Sequence, residues 1–392
     1  MKKNAKIIGV GMVKFMKPGA NEPYEIMASK AIQNAVKDAG IDFKEIKQAF
    51  AGYVYGDSTC GQAALYKVGM TGIPVINVNN NCSSGSSALY LARQAVESGA
   101  IDCALAFGFE EMQPGALSEK WTDRTSPLKT FDDRLDELSQ SSGKVSAIKF
   151  FGEAATAYIN KYGANPDIFA KVAVKTRNHA LNNPYSIFEK PLTVEEVLKA
   201  PIIYPSYLTR LMACPPSCGA AAAIVCTEEF ARKHGIQNAV EIVSQVLATD
   251  TEASYKDVMN LVGAEMTSRA AKELYEKAGI GPEDVDVVEL HDCFTPNEVI
   301  TYEGLGLCGE GEAEGLINNG DNTYGGKYVV NPSGGLMSKG HPLGATGLAQ
   351  CTELVWQLRG QAEKRQVDDA RIALQHNLGL GGAVVVTMYK KS

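Results

Sequence analysis

The chain has 392 residues, of which 45% are hydrophobic and 21% charged, with a formal net charge of −7 and 38 glycines. This composition excludes wholesale disorder and leaves enough apolar material for two or three domains or one large duplicated one. The acidic balance excludes a broad nucleic-acid surface, which relies on clustered Lys and Arg.

Strands alternate with helices from the start. Residues 5–11 read as a strand. Residues 25–39 carry helical apolar spacing (Ile26, Ala31, Ala35, Val36, Ala39) and stop at Gly40, a C-terminal glycine signal. Strands follow at 47–54 and 75–78, then a helix over 85–99. Residues 102–108 form an apolar strand of the kind buried on both faces. Farther along come a helix at 268–278 stopped by Gly279, a strand at 285–290, a helix at 344–358 and strands at 371–375 and 383–389. The alternation predicts a layered α/β fold.

Local echoes predict a duplication. Asp38-Ala39-Gly40-Ile41, followed by acidic residues and a strand, matches Lys277-Ala278-Gly279-Ile280, followed by Pro282-Glu283-Asp284 and a strand. Cys82-x-x-Gly85, a helix and a strand match His341-x-x-Gly344, a helix and a strand. The halves are placed at 1–115 and 255–392. Between them, 116–254 reads as an insertion covering the site, together with the end of the first half; it contains the charged run 118–140.

The nine cysteines are an odd number with no secretory signal before them, so a disulfide framework is not expected. Only Cys214 and Cys218 lie close in sequence, without partners at zinc spacing, and no metal is expected. The basic start runs directly into a strand, not a signal segment. No stretch approaches the ~18–20 apolar residues of a membrane helix. The C-terminus is not the peroxisomal Ser-Lys-Leu address. The reading is a cytoplasmic chain without membrane insertion, with peroxisome or mitochondrion left open for a eukaryotic host.

Four segments carry chemistry. Asn79-Asn80-Asn81-Cys82-Ser83-Ser84-Gly85 places a thiol between a strand and a helix start. There the helix dipole favours thiolate, so the Cys82 pKa is expected below the free value of ~8.5; the plainer reading is a buried structural Cys. Gly340-His341-Pro342-Leu343-Gly344 places His341 at the equivalent point of the second half, where an imidazole is expected to stay neutral; the plainer reading is a turn histidine. His291-Asp292-Cys293-Phe294 follows a buried strand, a favoured active-site position, with His291 and Cys293 pointing the same way. His376-Asn377-Leu378-Gly379-Leu380-Gly381-Gly382 reads as a loop whose amides can bind an oxyanion, or as a tight bend.

Taken together, these residues resemble the thiolases, and among them the sterol carrier protein X type, over essentially the whole chain. The block from Asn331-Pro332-Ser333-Gly334-Gly335 to Gly340-His341-Pro342-Leu343-Gly344-Ala345-Thr346-Gly347 adds to the motifs above. The resemblance implies the thiolase fold, a duplicated five-layer αβαβα core with an inserted loop domain. It implies acyltransferase chemistry on 3-ketoacyl-CoA, with coenzyme A as co-substrate and no bound cofactor. Cys82 resembles the nucleophile that becomes acylated. His341 resembles the group that activates it and lines an oxyanion hole. His291 stands where most thiolases have an Asn that positions a water. Cys293 resembles the acid/base, since the late Cys-x-Gly motif here reads Asn377-Leu378-Gly379. The amides of Cys82 and Gly379 resemble the second oxyanion hole, and Ser338 and Asn377 the substrate contacts. A homodimer is implied, with a tetramer as the other assembly. The chain ends at Ser392, so no fused sterol-carrier domain is expected. Residues 121–148 match the family poorly and leave acyl length open, and Cys218 reads as packing. Two other readings remain: a retro-aldol lyase on acyl-CoA, and a non-catalytic acyl-CoA-binding protein.

Overall fold

The computed structural model describes residues 4–115, 121–139, 146–205 and 207–392. Parts of the charged run 118–140 and of the segment 121–148 therefore lie outside the described residues. Ten strands build the main sheet: β1 (Ala5–Met12), β2 (Gln48–Gly52), β3 (Val75–Val78), β4 (Cys103–Glu111), β5 (Cys218–Thr227), β6 (Val240–Ala248), β7 (Val287–Glu289), β8 (Val329–Val330), β9 (Ile372–Gly379) and β10 (Ala383–Lys391). Their spatial order is β8-β7-β9-β10-β6-β1-β5-β4-β2-β3. The sheet is two five-stranded sets joined only where Lys6 and Ile7 of β1 meet Glu241 and Val240 of β6.

Each set has the same plan. The first strand runs antiparallel to the fifth, the fifth antiparallel to the fourth, and the fourth, second and third are mutually parallel. This is the duplication expected from the local echoes. The first set is completed by β5, which lies within 116–254, and the second opens with β6, ahead of residue 255. Strand pairing between residues more than a hundred positions apart decides this, and a local pattern does not carry it.

Burial on both faces fixes the layers. All ten residues of β5 are buried. Ala221, Ala223 and Val225 face the central helices, while Ala220, Ala222, Ile224 and Cys226 face the outer layer, the two-residue alternation of a strand. The outer helix α1 (Tyr24–Ala39) buries Met27, Ala28, Ala31, Ile32, Ala35 and Ala39 against that sheet. It ends at Gly40 with φ 66°, whose amide caps Val36 and Lys37. Between the two sets lie α2 (Ser84–Glu97) and α8 (Leu343–Arg359), whose Leu89, Val96, Leu348, Leu354 and Leu358 share one core. On the far face α6 (Ala264–Ala278) packs Met266, Ala270 and Leu274 on Val246, Val384 and Val386. The order helix, sheet, helices, sheet, helix is the five-layer core.

Three helices of the insertion, α3 (Lys129–Ser139), α4 (Ala147–Tyr162) and α5 (Asp167–Ala180), lie against the second half beside α7 (Thr295–Gly304). Phe151 of α4 stacks on Phe294 with ring centroids 4.7 Å apart. The glycine-rich segment after residue 375 differs from expectation. His376, Asn377 and Gly379 continue β9, paired with Val386, Val385 and Ala383, and only 380–382 turn. The sequence reads as a loop or a tight bend; Gly379 ends the buried strand, and Gly381 and Gly382 form the tight turn.

The two central helices meet at their first turns. A β-carbon on Gly85 would stand 2.5 Å from the Gly344 carbonyl oxygen, and one on Gly344 would stand 2.5 Å from the carbonyl oxygens of Gly52 and Phe109. These neighbours are backbone and cannot swing aside. Gly85→Ala is therefore expected to destabilise the fold by about 1–3 kcal/mol, the range for overpacking. Urea denaturation followed by circular dichroism checks it, and an unchanged midpoint would contradict the close contact.

Candidate active site

Matched positions of the two halves converge at this helix contact. Cys82 lies two residues before α2 and His341 two residues before α8. The turn into α2 is tight, with Asn81 at φ 50° and its side-chain amide donating to the Leu380 carbonyl at 2.9 Å. The His341 amide donates to Ser217 Oγ at 2.9 Å. His291 joins them from the segment after β7. The Cys82 sulfur and one ring nitrogen of each histidine all lie within 4.8 Å of one another, and all three residues are buried.

Hydrogen bonds orient His341. Thr346 Oγ1 donates its only proton to the Pro342 carbonyl at 3.0 Å, so it accepts from His341 Nδ1 at 2.7 Å. The proton is thus on Nδ1, and Nε2 presents a lone pair. That Nε2 is buried and has no hydrogen-bond partner. Burial pushes the His341 pKa down to about 3. The imidazole is neutral, as the sequence suggested, but the cause is burial.

The Cys82 thiol behaves differently from the expectation. Burial, with the Glu110 charge second, pushes its pKa up to about 12, and the amides of Cys82 and Leu380 only partly offset this. Desolvation outweighs the helix dipole here, since the two neighbouring imidazoles are neutral and supply no positive charge. The Leu380 amide, unmarked in the sequence, is a donor to the sulfur. Glu110 is also unmarked. It accepts from the amides of Val54, Tyr55 and Gly344, and burial raises its carboxyl pKa to about 7.

The His291-Asp292-Cys293 run divides its work. His291 Nδ1 meets the Asn377 side-chain amide nitrogen at 3.1 Å, and its ring lies edge-on to His341 with centroids 5.0 Å apart. Asp292 points the other way and accepts from the amides of Leu336 and Met337, anchoring the turn that leads to His341. Cys293 is buried, and its carbonyl accepts from the Cys214 amide at 2.9 Å. Burial raises the Cys293 thiol pKa, and the Cys214 and Cys82 thiols add to it. Cys214, left without a role by the sequence, is thus a third thiol of this neighbourhood, whereas Cys218 packs in β5. All nine thiols are free.

Ser338 and Asn377, the expected substrate contacts, are held by neighbouring side chains. Ser338 is buried and accepts from Arg177 Nε at 3.1 Å. Asn377 is fully buried, bonded to His291 on one side and to Ser86 Oγ at 2.8 Å on the other. Their bonds are to protein. Gly379 lies against the Asn80 carbonyl, where a β-carbon would not fit.

At rest the site therefore holds a neutral thiol and a neutral base. A thiolate–imidazolium pair about 4 Å apart regains roughly 4 kcal/mol at an effective dielectric of 20. Moving the thiol from its ordinary pKa to about 12 alone costs about 4 kcal/mol. Burial of the imidazole adds to that cost, so the neutral pair is favoured until a substrate takes up the charge. Alkylation of Cys82 by iodoacetamide, followed by peptide mass spectrometry, is accordingly expected to rise about tenfold per unit from pH 7 to 10, as thiolate does below its pKa. A rate already level near pH 7 would mean a preformed ion pair.

Comparison with known proteins gives the family. Residues 6–201 match the thiolase N-terminal domain and residues 234–389 the thiolase C-terminal domain-like family. Sterol carrier protein 2 of Rattus norvegicus is 53% identical over 98% of this chain and 71% of its own length. A benzoylsuccinyl-CoA thiolase subunit of Thauera aromatica is 35% identical over 97% of this chain and 96% of its own. Among solved structures, an Ltp2–ChsH2(DUF35) aldolase superposes with a TM-score of 0.83 at 22% identity, covering 99% of this chain and 98% of that one, a likeness of fold. The chain belongs to the thiolase family and is of the sterol carrier protein 2 thiolase type.

Proposed function

We propose that the protein is a 3-ketoacyl-CoA thiolase, cleaving its substrate with coenzyme A into acyl-CoA and acetyl-CoA or running the reverse Claisen condensation. The observation that carries this reading is the cluster of the Cys82 sulfur with one ring nitrogen each of His341 and His291, together with the unpartnered His341 Nε2. His341 Nε2 takes the thiol proton as Cys82 Sγ attacks the 3-keto carbon, the step that a neutral base and a neutral thiol require. Amides about the thiol, those of Cys82 and Leu380 at the sulfur with Gly379 beside them, stabilise the oxyanion at that carbon. The bond between C2 and C3 breaks, and its electrons pass into the enolate of acetyl-CoA. Protonated His341, with His291, holds the enolate oxygen while Cys293 protonates the carbon. Coenzyme A, deprotonated by Cys293, then attacks acyl-Cys82 and releases the second product. The raised Cys293 pKa suits it to deliver a proton to a carbon rather than to rest as thiolate.

The same reading carries a homodimer. β3 is an open sheet edge with Ile76 41% exposed, preceded by Met70 at 79%, a surface that natural sheets cover. A second copy of this chain is the partner proposed for it. No helix among the described residues is long and apolar enough to cross a membrane.

Incubation with acetyl-CoA is expected to leave an acetyl group on Cys82, seen by mass spectrometry and lost in Cys82→Ala. A lyase or a non-catalytic binding protein would show no adduct. His341→Ala is expected to lower kcat by about 10²–10⁴, and a loss under tenfold would make it a structural turn residue. Cys293→Ser is expected to abolish deuterium exchange at the acetyl-CoA methyl group while Cys82 acetylation persists. Exchange at the wild-type rate would remove Cys293 as the acid/base.

A further inference from the structure

Cys82, His291 and His341 raise a question that acyl transfer alone does not answer. One thiol and two neutral imidazoles within 4.8 Å match the protein donor set of a catalytic zinc site. A thiolase needs the opposite, a lone pair on one imidazole and an N–H on the other. The lone pair belongs to His341 Nε2.

The partner behind His291 decides the rest. Gln375 Nε2 donates to the Gly347 carbonyl at 2.6 Å, a group that can only accept, so this atom is the nitrogen of the amide. The same nitrogen lies 2.9 Å from Ser86 Oγ. That nitrogen also lies 3.2 Å from Gln350 Oε1 and, being an amide NH₂, accepts nothing, so Ser86 does not donate to it and directs its one proton to Asn377 Oδ1 at 2.8 Å. With its oxygen taken, Asn377 turns its NH₂ group to His291 Nδ1 at 3.1 Å. Nδ1 is thereby the acceptor, and the ring proton of neutral His291 resides on Nε2. Every link is buried.

We propose that the Gln375–Ser86–Asn377 relay is a positioning device that locks His291 as an Nε2–H donor, making it an oxyanion-hole group and preventing the Cys82–His291–His341 cluster from binding a zinc ion. Where the family resemblance puts an acid/base thiol, Asn377 sets a tautomer instead. This rests on the acyl-transfer reading for the use of the donor, but the tautomer and the exclusion of metal do not depend on it.

Asn377→Asp tests the relay with almost no change of shape. A carboxylate accepts from Nδ1–H, moves the ring proton to Nδ1 and frees the Nε2 lone pair, as carboxylates do behind zinc-bound histidines. Zinc then replaces the thiol proton of Cys82, which leaves to the buffer. The variant is expected to bind Zn²⁺ about 10–100-fold more tightly than wild type, measured by competition with a chromophoric chelator. Its kcat with zinc removed is expected to fall about 10²-fold, for one lost oxyanion donor. An unchanged zinc affinity in the folded variant overturns the proposal. The wild-type protein supplies the second measurement. With its five histidines labelled with ¹⁵N, and His291 identified by the signals that His291→Asn deletes, the ring is expected to show a protonated Nε2 and an unprotonated Nδ1. A proton on Nδ1 overturns the relay. Expected tautomer and zinc results alongside an absence of acetyl-Cys82 in wild type would remove the acyl-transfer reading and leave the relay standing.

Discussion

The structure depends on one backbone contact, the meeting of two helix starts at Gly85 and Gly344. Each helix begins just after a turn at the end of a parallel strand or of the segment that follows one. Because the two halves share one strand order, their equivalent turns arrive at the same place from opposite sides. Any side chain at the contact would push them apart. The nucleophile and the base are therefore neighbours by symmetry of the fold, although 259 positions separate Cys82 from His341. Glu110 reinforces the contact from β4, its carboxylate accepting amides from both halves.

Burial is the second governing term. The centre of the molecule contains three imidazoles, three thiols and several carboxyls, nearly all of them buried. Low dielectric favours the neutral form of every such group unless a partner of opposite charge is close. The outcome is a site whose groups are matched by proton position rather than by charge. Hydrogen-bond direction, set by Thr346 on one histidine and by Asn377 on the other, then carries the information that ion pairs supply elsewhere.

Much of this was legible in the sequence. The alternation of strand and helix, the stop at Gly40, and the paired Cys82-x-x-Gly85 and His341-x-x-Gly344 echoes are local patterns, and local patterns survive into the fold. What escaped reading was set by distance. β6 opens the second half because it pairs with β10, and nothing within 240–248 announces that. Glu110, Cys214 and the Ser86–Gln375 link act through neighbours far off in the chain. The thiol pKa was misjudged for a related reason. A helix start is visible in sequence and lowers the value, whereas the depth of burial that raises it is a property of the whole assembly. Likewise, the glycines within 379–382 suggested a loop from residue 376, whereas hairpin pairing keeps 376–379 as strand and leaves only 380–382 to turn.

The division of the site between the two halves has a consequence for cooperativity. Of the four candidate reacting groups, the first half contributes the nucleophilic thiol, and the second contributes both imidazoles and the candidate acid/base thiol. Neither half is a weaker version of the whole, since each lacks the chemical partner of what it carries. A chain severed between β5 and β6 would turn catalysis into a second-order property of two fragments, governed by mass action and the dissociation constant of the helix contact. In the intact chain the covalent link makes that encounter intramolecular, so the effective concentration of base around nucleophile is set by the fold and is independent of how dilute the protein is.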